Sequence, residues 1–142
     1  MTTTVSVESA SPDFLENIRV GRHSLQSDEP VSAGGQDAAP TPYDLLLAAL
    51  GSCKVVTLRL YAKRKNWALK GVHVTLSHAK VHAEDCANCS GETRLIDHIG
   101  VEIRLVGELS DEQRQTLLAI AEKCPVHRTL ISGLQITTRA SA

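Results

Sequence analysis

Thr41-Pro42-Tyr43-Asp44-Leu45-Leu46-Leu47-Ala48-Ala49-Leu50-Gly51-Ser52-Cys53, continuing through Leu58-Arg59-Leu60-Tyr61-Ala62, is the stretch whose reading decides the fold. Thr41 suits a helix N-cap, and Pro42 suits the first helical position, where a missing N–H costs nothing. Asp44 stands three residues after the cap and can reach back to it, as in a capping box. Leu46, Ala49, Leu50, Cys53, Val56, Thr57 and Leu60 recur at three- and four-residue steps and so share a face. Leu45 and Leu47 widen that face beyond a surface stripe. A helix apolar over so much of its girth is expected at a centre, packed on two sides. The thiol of Cys53 then lies in that centre.

Working outward, the residues before Thr41 read as strands. Thr3 to Glu8 alternates polar and apolar residues; Phe14 to Val20 and Arg22 to Ser27 form two further strands about Gly21. Val31 to Pro40 carries Gly34-Gly35 and little bulk, so a loop is expected there. Beyond the helix, which Lys63, Arg64 and Lys65 close at its negative end, Asn66 is a terminator. Val72 to His82 alternates as a long strand, with Val72, Val74 and Leu76 on one face and His73, Thr75 and Ser77 on the other. Ala83 to Thr93 is a polar loop, and Arg94 to Gly107 returns as a second long strand. Ser110 to Gln113 is a capping box opening a helix to about Lys123. Cys124-Pro125 interrupts it, a short helix follows to Gly133, and Leu134 to Arg139 is expected as a final strand. Strands and helices are segregated, which argues one α+β domain over residues 1–142 with a mostly antiparallel sheet.

Composition narrows the function classes. The chain has 142 residues, 42% hydrophobic and 22% charged, with a net charge of -1. Aromatics are only 3%, so a stacking platform for single-stranded nucleic acid is missing, and no basic face advertises a polyanion. No nucleic-acid partner is expected. No apolar run is expected to approach the roughly 20 residues of a membrane span, and Met1 to Ser6 lacks the features of an export signal. A cytoplasmic protein without a membrane partner is expected.

The four cysteines are Cys53, Cys86, Cys89 and Cys124. In a cytoplasmic chain they are fillers, metal ligands or redox groups rather than a disulfide framework. Cys124, directly before Pro125, is placed to be an N-cap, where free N–H groups and the positive helix end favour a thiolate and lower its pKa. His127 and Arg128 lie within a turn of it. The alternative is a buried cysteine at a helix junction. Cys53 lies ~18 Å past its cap and gains nothing from its own helix dipole. A reactive Cys53 needs a cation from another segment, with Arg19, Arg22 and Arg128 as candidates; otherwise it fills a helix contact beside Ala49 and Leu50. Cys86-x-x-Cys89, with His82 four residues before it, has the spacing of half a zinc site or a redox pair, against an incidental pair of thiols. No metalloprotease, nucleophile-elbow or phosphate-loop motif is present.

Two of these motifs, taken together, resemble a known family. Pro42 to Cys53 is similar to the first-cysteine helix of the osmotically inducible protein C (OsmC) and organic hydroperoxide resistance family. Cys124-Pro125-Val126-His127-Arg128-Thr129-Leu130, 71 residues further on, resembles its second-cysteine motif. Leu58 to Ala62 and His82 to Cys89 resemble an OsmC-like subgroup rather than the organic hydroperoxide resistance branch. The resemblance implies an intertwined homodimer, with two central helices packed against mostly antiparallel sheets. It implies a peroxidatic Cys53 that attacks an organic hydroperoxide in an apolar pocket, a resolving Cys124, and an external dithiol reductant with no bound cofactor. The family's peroxidases keep a Glu after the helix-starting Pro, paired with an Arg from the N-terminal part. Here Tyr43 holds that position and Asp44 is next door, so Asp44 takes the role or serves only as a cap. Arg22 is the matching Arg candidate, with Arg19 beside it. Two other classes stay open: a non-catalytic small-molecule or zinc-binding dimeric module, and a general thiol–disulfide redox protein.

Overall fold

The structure is a computed structural model that describes residues 2–82 and 94–141. It divides into two compact units, residues 1–46 and 47–142. In the first unit, β1 (Ser6–Ser9), β2 (Glu16–Val20) and β3 (His23–Ser27) form an antiparallel meander in that order. Gly21 turns β2 into β3 with φ +58°, a left-handed conformation open to glycine at little cost. Ser6 pairs with Arg19, and Ile18 with Leu25.

The loop after β3 is built around one buried carboxylate. Asp28 is 2% exposed and accepts hydrogen bonds from the backbone N–H groups of Glu29 (2.8 Å), Ala38 (3.1 Å) and Gln36 (3.3 Å). These N–H donors, led by that of Ala38, hold the Asp28 carboxyl below its usual range. The loop, including a 3-10 turn at Val31–Ala33, leads to the cap of helix α1 (Pro42–Lys65). The capping box is formed: Asp44 N donates to Thr41 Oγ1 (3.1 Å) and Thr41 N donates to Asp44 Oδ2 (2.9 Å).

The second unit holds most of α1, the hairpin β4 (Leu69–His82) and β5 (Leu95–Gly107), α2 (Asp111–Ala121) and α3 (Pro125–Ser132). Asn66 ends α1 in the left-handed region at φ 57°, and Trp67 N donates back to Ala62 O (2.9 Å). β4 and β5 are antiparallel, with Val72 opposite Leu105, Val74 opposite Ile103 and Leu76 opposite Val101. Those side chains are half-buried, whereas His73, Thr75 and Ser77 are exposed, as the alternation requires. Gly51 lets α1 lie close to β4, because a Cβ there would meet Leu76 Cδ1 at 2.7 Å. The expected box at α2 is present, with Ser110 Oγ and Gln113 Oε1 each accepting from the other's backbone N–H. Leu58, Ala62, Leu69, Leu117 and Ala121 make the buried core, with Val72, Ile103 and Leu105 packed on it. The expected α+β class with antiparallel sheets is therefore the observed one.

Three expectations are corrected. The buried stripe of α1 is Leu50, Gly51, Lys54, Leu58 and Ala62, while Val56 (53%) and Leu60 (50%) are exposed. In a helix this apolar, periodicity alone does not say which side the rest of the chain covers. This 24-residue helix is also long and apolar enough, by length and composition, to cross a bilayer. Its buried side instead carries a lysine and packs into the core just described. Finally, residues 134–139 form no strand. Among the described residues no strand pairs with them, and Leu134 (62%) and Ile136 (83%) stay uncovered; alternation without a hydrogen-bonding neighbour does not make a strand.

Candidate active site

The site is assembled where α2 ends and α3 begins. α2 stops at Ala121, and the last carbonyls of a helix lack intrahelical partners and carry its negative end. Three residues later Cys124 takes the extended conformation (φ -63°, ψ 139°), Pro125 opens α3, and the Cys124 thiol accepts a hydrogen bond from His127 N at 3.3 Å. The N-cap reading of Cys124 thus describes the observed geometry.

Lys54 of α1 enters this junction. It is 1% exposed, and its ammonium donates to Ala121 O (2.8 Å) and to Nδ1 of His127 (2.9 Å). A buried ammonium needs such partners, and the free carbonyl at the negative end of α2 is a fitting one. An ammonium has only donors, so Nδ1 of His127 is the acceptor and the ring proton sits on Nε2. That atom lies 3.3 Å from Glu122 Oε2, on a largely exposed carboxylate. Lys54, His127 and Glu122 therefore form a line of polar groups from the buried junction to the surface.

Cys53, next to Lys54 on α1, is half-buried, and Cys124 is wholly buried; both are free thiols. Cys53 acts on the Cys124 thiol. Burial pushes the Cys124 thiol above its ordinary value, and a hydrogen bond to Cys53 and the charge of Cys53 push the same way. The His127 N–H and the Lys54 ammonium pull it down without prevailing. The expectation of a lowered pKa for Cys124 is thus reversed: desolvation of a thiol with no solvent exposure outweighs one N–H and a helix end.

The remaining candidates fall as follows. Asp44 is exposed and forms the cap of α1 in the first unit; Arg22 is exposed in the turn between β2 and β3. Arg19 is exposed on β2, and Arg128 is exposed on α3. His82 ends β4, and its expected companions Cys86 and Cys89 lie outside the described residues. Among the described residues, no group of three or more His, Cys, Asp or Glu side chains is arranged to hold a metal. His78 and Lys80 both bind Asp97 across the hairpin (2.9 and 3.1 Å), an exposed structural contact.

Lys54 is a buried cation at this junction, and it is not among the arginines, Arg19, Arg22 and Arg128, that the sequence offers as candidates. A signal was present: Lys54 is the only charged residue between Asp44 and Arg59, four residues from Leu50 on one side and Leu58 on the other. A lone charge in register with an apolar stripe is a charge to be buried and partnered.

Comparison with known proteins agrees with this architecture. No curated protein matches the chain. The fold is similar to that of an OsmC-like protein from Mycoplasma pneumoniae, with a TM-score of 0.70 and 16% identity over 92% of this chain and 88% of that one. It is also similar to an organic hydroperoxide resistance protein OsmC from Legionella pneumophila, with a TM-score of 0.65 and 20% identity over 90% and 88%. For the organic hydroperoxide resistance protein OhrB of Bacillus subtilis the values are 0.60 and 18% over 90% and 89%. The sequence profile of the family described as OsmC-like protein matches residues 34–139, a span that includes both cysteine motifs and Lys54, and the chain belongs to that family.

Proposed function

We propose that this protein is a cytoplasmic thiol peroxidase that reduces organic hydroperoxides. The observation that carries the reading is the wholly buried Cys124 thiol at the start of α3, at the junction that the Lys54 ammonium enters, with the half-buried free thiol of Cys53, from a motif 71 residues earlier, acting on it. The Cys53 thiolate attacks the distal oxygen of the hydroperoxide. The O–O bond breaks, Cys53 becomes a sulfenic acid, and the alkoxide leaves as the alcohol after taking a proton. Cys124 then attacks the Cys53 sulfur. The S–O bond breaks, hydroxide leaves as water with the Cys124 proton, and a Cys53–Cys124 disulfide remains. An external dithiol, itself oxidised to a disulfide, restores both thiols. Ala49, Val56 and Thr57 flank Cys53 at helical spacing and supply few polar groups, which suits an organic rather than an inorganic peroxide.

In this reading Arg22 and Asp44 act as the pair that orders the peroxide end of the site, and the working form is a homodimer. Exposed Val56 and Leu60 on α1, and the uncovered Leu134 and Ile136, support a second copy as the missing cover. Cumene hydroperoxide added to reduced protein is expected to yield one internal disulfide. Cys124→Ser should stop at a trappable sulfenic acid, and Cys53→Ser should consume no peroxide. Peroxide consumption by Cys53→Ser at the wild-type rate would sink the proposal. Mixed disulfides of Cys124→Ser with other proteins, in place of peroxide turnover, would instead indicate general thiol–disulfide exchange.

A further inference from the structure

We infer that His127, oriented by Glu122, is a positioning residue that fixes the Lys54 ammonium at the thiol pair and so sets how fast Cys124 closes onto Cys53. Lys54 is 1% exposed, so its charge is held by protein groups. Of its two partners, Ala121 O belongs to the backbone and is fixed by α2, whereas His127 Nδ1 is a side-chain atom that chemistry can switch. Nδ1 accepts only while the ring is neutral and its proton is on Nε2. The Glu122 carboxylate, 3.3 Å from Nε2, favours that tautomer. A second proton on the ring would set two cationic donors against each other at the 2.9 Å contact. The charged groups at the ring are Lys54 from α1 and Glu122 from the junction, and the titratable Cys124 thiol accepts from the backbone N–H of His127.

The consequence falls on Cys124. Only its thiolate attacks, its thiol is wholly buried, and what favours ionisation there is first the His127 N–H at 3.3 Å and then the charge of the Lys54 ammonium. Losing the Lys54–His127 contact therefore removes thiolate from the resolving cysteine. This inference deepens the peroxidase reading and rests on it for its biological meaning, but closure is measurable without peroxide.

A Cys86→Ser/Cys89→Ser background leaves Cys53 and Cys124 as the only thiols. Reduced protein is treated with one equivalent of a dipyridyl disulfide. Half-buried Cys53 takes one thiopyridyl group and releases one coloured thiopyridone. The Cys124 thiolate then attacks the Cys53 sulfur, forming the protein disulfide and expelling the second thiopyridone. The rate of that second release is followed against pH, with circular dichroism confirming the fold of each variant. His127→Leu should slow it about tenfold near neutral pH and move its midpoint up by about one unit, since one unit is a tenfold loss of thiolate. His127→Asn, which offers an amide oxygen to the ammonium, should recover most of the rate, and Glu122→Gln should stay within about threefold. A wild-type rate and midpoint in His127→Leu overturn the inference, as does His127→Asn closing as slowly as His127→Leu. If His127→Leu does not fold, Lys54→Met carries the same expectation, and wild-type closure in it is equally fatal. Failure of the peroxidase reading shows separately, as wild-type protein that closes normally with the dipyridyl reagent yet is not oxidised by cumene hydroperoxide.

Discussion

Among the described residues each unit of this protein buries one charge, and the two are satisfied in opposite ways. Asp28 in the first unit is 2% exposed and accepts from three backbone N–H groups, all within ten residues of it. Lys54 in the second is 1% exposed, and its partners Ala121 and His127 are 67 and 73 residues away. A carboxylate closed by its own loop ties a turn and touches no other chemistry. An ammonium held by remote groups draws a helix end, an imidazole and a buried thiol into one place. The difference separates a structural charge from a working one: removing the first should cost order, and removing the second should cost reactivity.

The largest expected effect is at Lys54. Lys54→Ala leaves a buried carbonyl and an imidazole without their donor and should destabilise by about 3 kcal/mol in denaturant unfolding. Lys54→Met fills the same volume without charge and should cost roughly 1 kcal/mol or less. The contrast with Asp28 fails if Lys54→Met is as unstable as Lys54→Ala, for then packing rather than charge was at stake.

Asp28→Ala comes next and should leave disulfide closure at the wild-type rate. Its effect should appear in hydrogen exchange, where the Gln36 and Ala38 amides lose roughly tenfold or more in protection. Equal loss in α2 would show that the carboxylate organises more than its loop.

Ionisation gives a third test, with opposite signs at two sites. Asp28 has a folded pKa below its usual value. Its stabilising contribution is full above the ordinary carboxylate range and is lost as pH falls through the lowered value. Cys124 has a folded pKa above the ordinary 9.0, so its contribution is full below that value and is lost as pH rises toward the raised one. Stability followed across pH should fall at both ends. Asp28→Asn should flatten the acid limb alone, and Cys124→Ala the alkaline limb alone.

The smallest effect belongs to the caps. Thr41→Ala and Ser110→Ala each remove an acceptor from an exposed helix start and should cost about 1 kcal/mol, with closure unchanged. A change in closure with Thr41→Ala would tie the start of α1 to the chemistry at Cys53.

Much of the frame was legible in the residues because its signals are local. The capping boxes at Thr41 and Ser110, the left-handed stop at Asn66, the alternation of β4 and the cap at Cys124 each depend on neighbours a few positions away. The strand expected at Leu134 to Arg139 fails for the complementary reason: a strand is completed by another strand, which alternation cannot supply. The site was legible in part. Both cysteines stand in recognisable motifs, whereas the partners of Lys54 lie 67 and 73 residues from it, beyond the reach of any local pattern.

The sequence by itself determined the order of the elements, their ends, the α+β class and the two thiols, since propensity, capping and periodicity act over a few residues. Tertiary structure decided the rest. It chose the Leu50–Lys54–Leu58 side of α1 for burial, brought Cys53 to Cys124, joined Lys54 to the end of α2 and reversed the expected shift of the Cys124 thiol. Each of these depends on desolvation and on contacts across some seventy residues, and burial is a property of the packed chain rather than of any short stretch of it.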